Sequence, residues 1–154
     1  MFYINHTPDI DGATEEKTLF LHIPKTAGKS VLKWARDNIP LVVVMPKVHP
    51  HDTGDNQEAD FTWCIVRNTY EKVVSTYHFL IRLSFLPEET TFAEFVEMIS
   101  TTDKYNEWFK PQQEYTKNCD LVLNYETLEE DFVQIQTRYG VDAPLEIVNK
   151  STST

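Results

Sequence analysis

The sequence predicts an α/β fold in which a central parallel sheet carries helices on both faces. Short apolar segments alternate along the chain with longer segments whose apolar residues recur at helical spacing, a pattern typical of parallel sheets. Of the 154 residues, 41% are hydrophobic, which is enough to fill the core of one domain. The chain contains no internal repeat and no low-complexity segment, so we expect a single domain over residues 1–154.

The alternation also gives the order of the elements. Strands are predicted at residues 19–22, 41–45, 62–66 and 121–124, and helices at residues 29–38, 70–85, 92–100 and 127–139. In the second helix, apolar residues at helical spacing predict a buried face made of Tyr70, Val73, Val74, Tyr77 and Ile81. Ser75 lies off that face. Parallel sheets bind ligands beyond the carboxyl ends of their strands, so the loops that follow the strands are the candidate functional segments.

The loop after the first predicted strand, residues 22–30, reads HIPKTAGKS. A strand that turns through small residues into a helix aims backbone N–H groups and the positive helix end at one point, where phosphate or sulfate binds. Two lysines and two hydroxyls strengthen this interpretation: Lys25, Lys29, Thr26 and Ser30. The end of the loop matches the nucleotide P-loop G-x-x-x-x-G-K-[ST], but Ile23 stands where the first glycine is required. Within the P-loop-like three-layer fold that we expect, the residues of this loop leave open three interpretations: a nucleotide loop, another anion loop and a plain surface turn.

A second motif covers residues 64–77, CIVRNTYEKVVSTY. Arg67 ends a predicted strand, and Ser75 lies in the first turns of the next helix. A guanidinium binds phosphate through two N–H groups, and a nearby hydroxyl adds a further donor. These two residues are therefore a candidate phosphate clamp.

In this order, the two segments resemble the donor-binding motifs of the carbohydrate sulfotransferase family, written hIPKTGGTS and xVRNPYdRlvSxY. Ala27 and Lys29 depart from the first pattern. Residues 124–132 and 144–151 resemble two later segments of the family, so the resemblance extends over nearly the whole chain.

The resemblance implies a donor, 3′-phosphoadenosine 5′-phosphosulfate, whose 3′-phosphate is held by Arg67 and Ser75. It also implies that the phosphosulfate lies in the loop formed by Lys25, Thr26, Ala27, Gly28, Lys29 and Ser30, with Lys25 catalytic. No metal is expected, because lysines and amides can supply the positive charge. His22, at the approach to the loop, is interpreted as structural.

Residues 48–54, VHPHDTG, resemble the family segment H-x-T-A and make His51 the candidate general base. An unperturbed histidine is largely neutral near pH 7, as a base must be. Asp52 is expected to orient the ring, and His49 is an alternative base. Two other interpretations remain open: that both histidines are solvated loop residues, or that the segment forms a metal site, although zinc ligands usually come from more than one segment.

The formal net charge of −10 argues against general nucleic-acid binding. The positive charges concentrate in the motifs, at Lys25, Lys29, Lys33, Arg67 and Lys72, which favours a small anionic ligand. No apolar run reaches the roughly 20 residues that span a membrane, and residues 1–17 lack the features of a signal peptide. We therefore expect a cytoplasmic protein without a membrane partner. Cys64 and Cys119 are expected to be free, buried thiols.

The predicted function is sulfuryl transfer to an acceptor hydroxyl of a carbohydrate or small molecule. One alternative is a P-loop kinase using Lys29 and Ser30, which would need a carboxylate for magnesium at another strand end. None stands out in the sequence. A further alternative is a nucleotide-binding domain with little turnover.

Overall fold

A computed structural model describes residues 1–6, 15–44 and 50–147, with His6 described by its backbone only. It contains one mixed sheet of five strands in the order β3-β1-β2-β4-β5. The strands are β1 (Phe2–His6), β2 (Glu16–Leu21), β3 (Leu41–Val44), β4 (Phe61–Val66) and β5 (Leu121–Asn124). The α/β class and all four predicted strands are confirmed; β5 has the predicted ends, whereas β2 and β4 begin earlier than predicted.

The prediction of a wholly parallel sheet was wrong at β1. This strand pairs antiparallel with both β2 and β3, whereas β2, β4 and β5 pair in parallel. This strand was not predicted, because residues 1–17 are polar on average and the alternation of apolar and polar residues in FYINH is short. Phe2 and Ile4 pack on one side of the sheet and Tyr3 on the other, so the strand meets both cores.

The helices are α1 (Gly28–Asn38), α2 (Thr69–Arg82), α3 (Phe92–Thr101), α4 (Gln113–Thr116), α5 (Leu128–Asp131) and α6 (Val133–Tyr139). Short 3-10 turns occur at Asn106–Trp108 and Tyr125–Thr127. The helix predicted at residues 127–139 is thus divided into α5 and α6. No helix of the described residues combines the length and apolar character needed to cross a bilayer.

One face of the sheet is covered by α1, α5 and α6, whose Trp34, Leu128 and Ile135 belong to one core with Phe20 and Trp63 of the strands. The other face is covered less by helix than predicted. There Tyr115 of the single-turn helix α4 packs with Leu19, Leu21 and Cys64. The loop before β4 adds to this cover, because the Tyr3 hydroxyl donates to Gln57 Oε1 at 3.0 Å.

Leu80 of α2 and Phe95 of α3 pack together with Leu86 of the connecting segment, in a cluster separate from the two sheet cores. The buried face predicted for α2 was wrong in part. Its buried residues are Lys72, Ser75, Thr76 and Leu80, whereas Tyr70 is 66% exposed. The buried residues of the first half of α2 are therefore polar, whereas Leu80 near its end packs against Phe95 of α3.

Both cysteines are free thiols, Cys64 buried and Cys119 half-buried. A hydrogen bond with the Cys119 thiol, together with burial, raises the pKa of Cys64. A buried thiol with a raised pKa stays protonated and unreactive, which is consistent with a packing role for Cys64.

Candidate anion-binding site

A cavity opens at the carboxyl ends of β2, β4 and β5, where ligands of such sheets bind. Its lining includes eight of the nine predicted site residues: Lys25, Ala27, Gly28, Lys29, Ser30, His51, Arg67 and Ser75. Thr26 is the exception, because its side chain is fully buried and donates to the Ile23 carbonyl at 2.8 Å. The Thr26 hydroxyl therefore braces the loop from inside.

The loop between β2 and α1 contains two left-handed residues that are not glycine. Lys25 has φ 64° and Ala27 has φ 74°. Such backbone is costly for these residue types and clusters at ligand-binding sites. Ile23 is fully buried in the same core as Leu21 and Tyr115. The position at which a nucleotide P-loop requires glycine thus carries a core side chain.

Gly28 is needed here for a close approach. A Cβ atom added to Gly28 would lie 2.0 Å from the ring of His22. Burial, followed by the positive charges of His51 and other neighbours, lowers the pKa of His22 to about 3. The His22 ring is therefore neutral near pH 7 and forms a wall of the cavity beneath the loop.

Three cations surround the Phe79 ring, which also lines the cavity. Lys25 Nζ lies 4.2 Å from the ring centroid, and Lys29 Nζ and the Arg82 guanidinium carbon lie 5.5 Å from it. Burial, followed by the charges of Arg82, Lys29 and Arg67, lowers the pKa of Lys25 to about 8. No Asp or Glu is among the described residues that line the cavity. The cavity is therefore strongly positive although the chain is acidic.

Arg67 is held by neutral groups. Its Nη1 donates to the Lys25 carbonyl at 3.0 Å, and its guanidinium carbon lies 4.0 Å from the centroid of the Tyr125 ring. Gln112 hydrogen-bonds both the amide and the carbonyl of Arg67. Arg67 Nε is buried and has no hydrogen-bond partner among the described residues. A buried, unused donor in a positive cavity that Ser75 also lines suits an anionic ligand.

His51 is packed between two other rings of the cavity. Its ring centroid lies 5.1 Å from that of His22 and 5.3 Å from that of Trp108. The Tyr115 hydroxyl donates to the His51 carbonyl at 2.8 Å. Asp52 Oδ1 accepts the Gly54 amide at 2.7 Å and so closes a turn. His49 lies outside the described residues.

Several expected or possible contributors lie elsewhere. Lys33 is exposed and pairs with Asp37 at 2.6 Å. Lys72 is buried and donates to a backbone carbonyl outside the loop. Within the described ranges, no group of three or more His, Cys, Asp or Glu side chains forms a metal site.

Three aromatic residues of the cavity were missed by sequence reasoning: Phe79, Trp108 and Tyr125. Two of them carried a signal. Phe79 follows Ser75 by four residues and thus lies on the same side of α2, and Tyr125 follows β5 as Arg67 follows β4. Nothing in the sequence around Trp108 pointed to the site.

Comparisons of the chain with protein-family models, with curated proteins and with solved structures gave no match in any of the three.

We predict that Gly28→Ala destabilises the protein by about 1–3 kcal/mol, because the added methyl group overlaps the His22 ring. Chemical denaturation measures this cost. The same substitution in a His22→Ala background should cost much less, since the ring is gone. Equal costs in both backgrounds would contradict the close approach.

Proposed function

We propose that this chain is a sulfotransferase that moves a sulfuryl group from 3′-phosphoadenosine 5′-phosphosulfate to an acceptor hydroxyl of a carbohydrate or small molecule. The observation that carries the proposal is the convergence of both motifs on one positive cavity without described carboxylates. The strand–loop–helix unit β2–α1 and the parallel run of β2, β4 and β5 support a P-loop-like fold for this function.

In this proposal Arg67 and Ser75 hold the 3′-phosphate of the donor. The unused Nε–H of Arg67 supports this role, as does the presence of buried Ser75 in the lining of the same cavity. The loop amides of residues 25–30, with the side chains of Lys25 and Lys29, hold the 5′-phosphosulfate.

Transfer then needs charge stabilisation and proton removal. The acceptor oxygen forms a bond to sulfur while the bond from sulfur to the bridging oxygen breaks, and negative charge builds on that leaving oxygen. Lys25 stabilises this charge, as cations do in phosphoryl transfer. His51 takes the acceptor proton.

A kinase would use the same loop with magnesium-bound ATP. Ile23 in the core and the lack of an acidic residue among the described lining residues favour the sulfotransferase. A domain that binds the donor without turnover would differ from the proposed enzyme only in the rate of transfer. An assay of sulfuryl transfer from the donor to candidate acceptors measures that rate.

We expect adenosine 3′,5′-bisphosphate to bind without magnesium and more tightly than ATP. Arg67→Ala should weaken this binding by roughly 2–4 kcal/mol, and Ser75→Ala by about 1–2 kcal/mol, because each removes a donor to the 3′-phosphate. Calorimetry measures both. AMP, which lacks that phosphate, should bind all variants alike.

Arg36→Ala, which removes an exposed arginine of α1, is the matched control for charge and should change neither affinity appreciably. Magnesium-dependent ATP binding, with no binding of the bisphosphate, would support the kinase instead.

Lys25 should make donor binding depend on pH. Its lowered pKa of about 8 means that free Lys25 loses its proton as the pH rises through that value, whereas a bound anion favours the charged form. Binding of adenosine 3′,5′-bisphosphate near pH 8 should therefore take up protons and weaken towards pH 9. Calorimetry in buffers of different ionisation enthalpy measures the uptake.

Lys25→Met should abolish this proton uptake and most turnover, whereas Lys29→Met should keep both in large part. The opposite ranking of the two lysines would favour the nucleotide P-loop alternative.

His51→Ala should lower the rate of sulfuryl transfer by roughly 10²–10⁴-fold with donor affinity nearly unchanged, because a general base contacts the acceptor. The wild-type rate should fall on the acid side as the base is protonated, and the variant should lose that limb. His78→Ala, which removes an exposed histidine of α2, is the control. Full activity of His51→Ala with the same pH profile would remove His51 from the mechanism.

A further inference from the structure

Lys72 is a buried cation that the proposed chemistry does not use. Its side chain lies on the inward face of α2, and the residue is 4% exposed. Nζ donates to the Trp108 carbonyl at 2.5 Å and lies 5.7 Å from the Phe109 ring centroid. Burying a lysine costs free energy unless its ammonium group has a hydrogen-bond partner. The Trp108 carbonyl is such a partner for Lys72.

The segment that Lys72 binds is a single turn outside the sheet. It comprises Tyr105, in left-handed backbone with φ 65°, and the 3-10 turn Asn106–Trp108. The Tyr105 hydroxyl donates to the Phe85 carbonyl at 3.1 Å. Tyr105 and Phe109 pack against the cluster of Leu80, Leu86 and Phe95 on either side of the turn. The bond from Lys72 ties the backbone between them to α2 and so constrains where Trp108 lies.

Trp108 is the tryptophan that lines the cavity, whereas Trp34 and Trp63 lie in the sheet core. Its ring centroid is 5.3 Å from that of His51 and 5.4 Å from that of Phe79. The indole thus contacts both the candidate base and the Phe79 ring, over which Lys25 Nζ lies.

We infer that Lys72 is a positioning residue for the site: its hydrogen bond to the Trp108 carbonyl holds the indole as a wall that fixes the His51 ring. Lys72 and Ser75 are three residues apart on α2, so the proposed donor clamp and this support share one helix face. The part of the inference that concerns catalysis rests on the proposed function. The part that concerns Trp108 and His51 does not.

The support is tested first on the free protein, with Lys72→Met, which keeps the chain length and removes the ammonium. Acrylamide quenching of Trp108 emission, taken as the difference from Trp108→Phe, should rise severalfold. The ring-proton resonances of His51 should move towards their positions in Trp108→Leu. Lys104→Met is the matched control, because Lys104 is an exposed lysine of the same region, with Nζ 5.4 Å from the Tyr105 ring centroid.

Quenching of Trp34 and Trp63 reports whether the sheet core stays folded. If Lys72→Met unfolds the core, Lys72→Gln takes its place with the same expected results, because its shorter side chain should not reach the Trp108 carbonyl. Trp108→Leu leaves Lys72 in place and tests the contact with His51 separately. Unchanged Trp108 quenching in folded Lys72→Met, or His51 resonances insensitive to Trp108→Leu, would overturn the inference.

The catalytic part is tested by sulfuryl transfer from 3′-phosphoadenosine 5′-phosphosulfate. Lys72→Met should lower kcat by roughly 10–100-fold, as loss of a supporting contact does, while the donor KM stays nearly unchanged. A larger effect on donor KM than on kcat would overturn a role through His51. If the wild-type protein transfers no sulfuryl group, the proposed function fails, while the spectroscopic results still decide the support of His51.

Discussion

The close approach of the His22 ring to Gly28 is the constraint on which the site depends. The ring occupies the space that a side chain at position 28 would fill, so α1 can begin directly over it. The loop must then reverse within a few residues, which puts Lys25 and Ala27 into left-handed backbone. The same ring packs against His51. One half-buried, neutral imidazole thus connects the loop of residues 22–30 to the candidate base.

Within the described residues, the cations of the site are held by rings and carbonyls. Lys25, Lys29 and Arg82 surround Phe79, and Arg67 lies over Tyr125 while it donates to a carbonyl. Cation–π contacts and carbonyls offset part of the cost of burial without neutralising the charge. A carboxylate partner would neutralise it. The cavity therefore keeps a positive field for a ligand, although the chain as a whole carries −10.

Sequence reasoning found the parts of the site that depend on strand ends. Lys25 and Arg67 each follow a parallel strand, and neighbouring parallel strands end at one edge, so their meeting in the cavity could be predicted. Features that depend on side-chain direction could not. Thr26 matches the loop motif, but its hydroxyl turns inward to Ile23. Trp108 reaches the cavity through a long-range contact with α2, which no local pattern records.

Helix α2 shows why periodicity alone misjudged the site. Tyr70, Val73 and Tyr77 form an apolar stripe, but Tyr70 is mostly exposed and the other two are half-buried with the α3 cluster. The inward face instead carries Lys72 and Ser75, which are polar yet 4% exposed. Burying polar groups is costly unless they have partners. A helix with buried polar residues is therefore positioned by contacts other than those of a hydrophobic core. On α2 one of these contacts is the Trp108 carbonyl and another is the cavity itself. The helix is therefore better described as a wall of the cavity than as a cover for the sheet, which explains why its buried residues include polar ones.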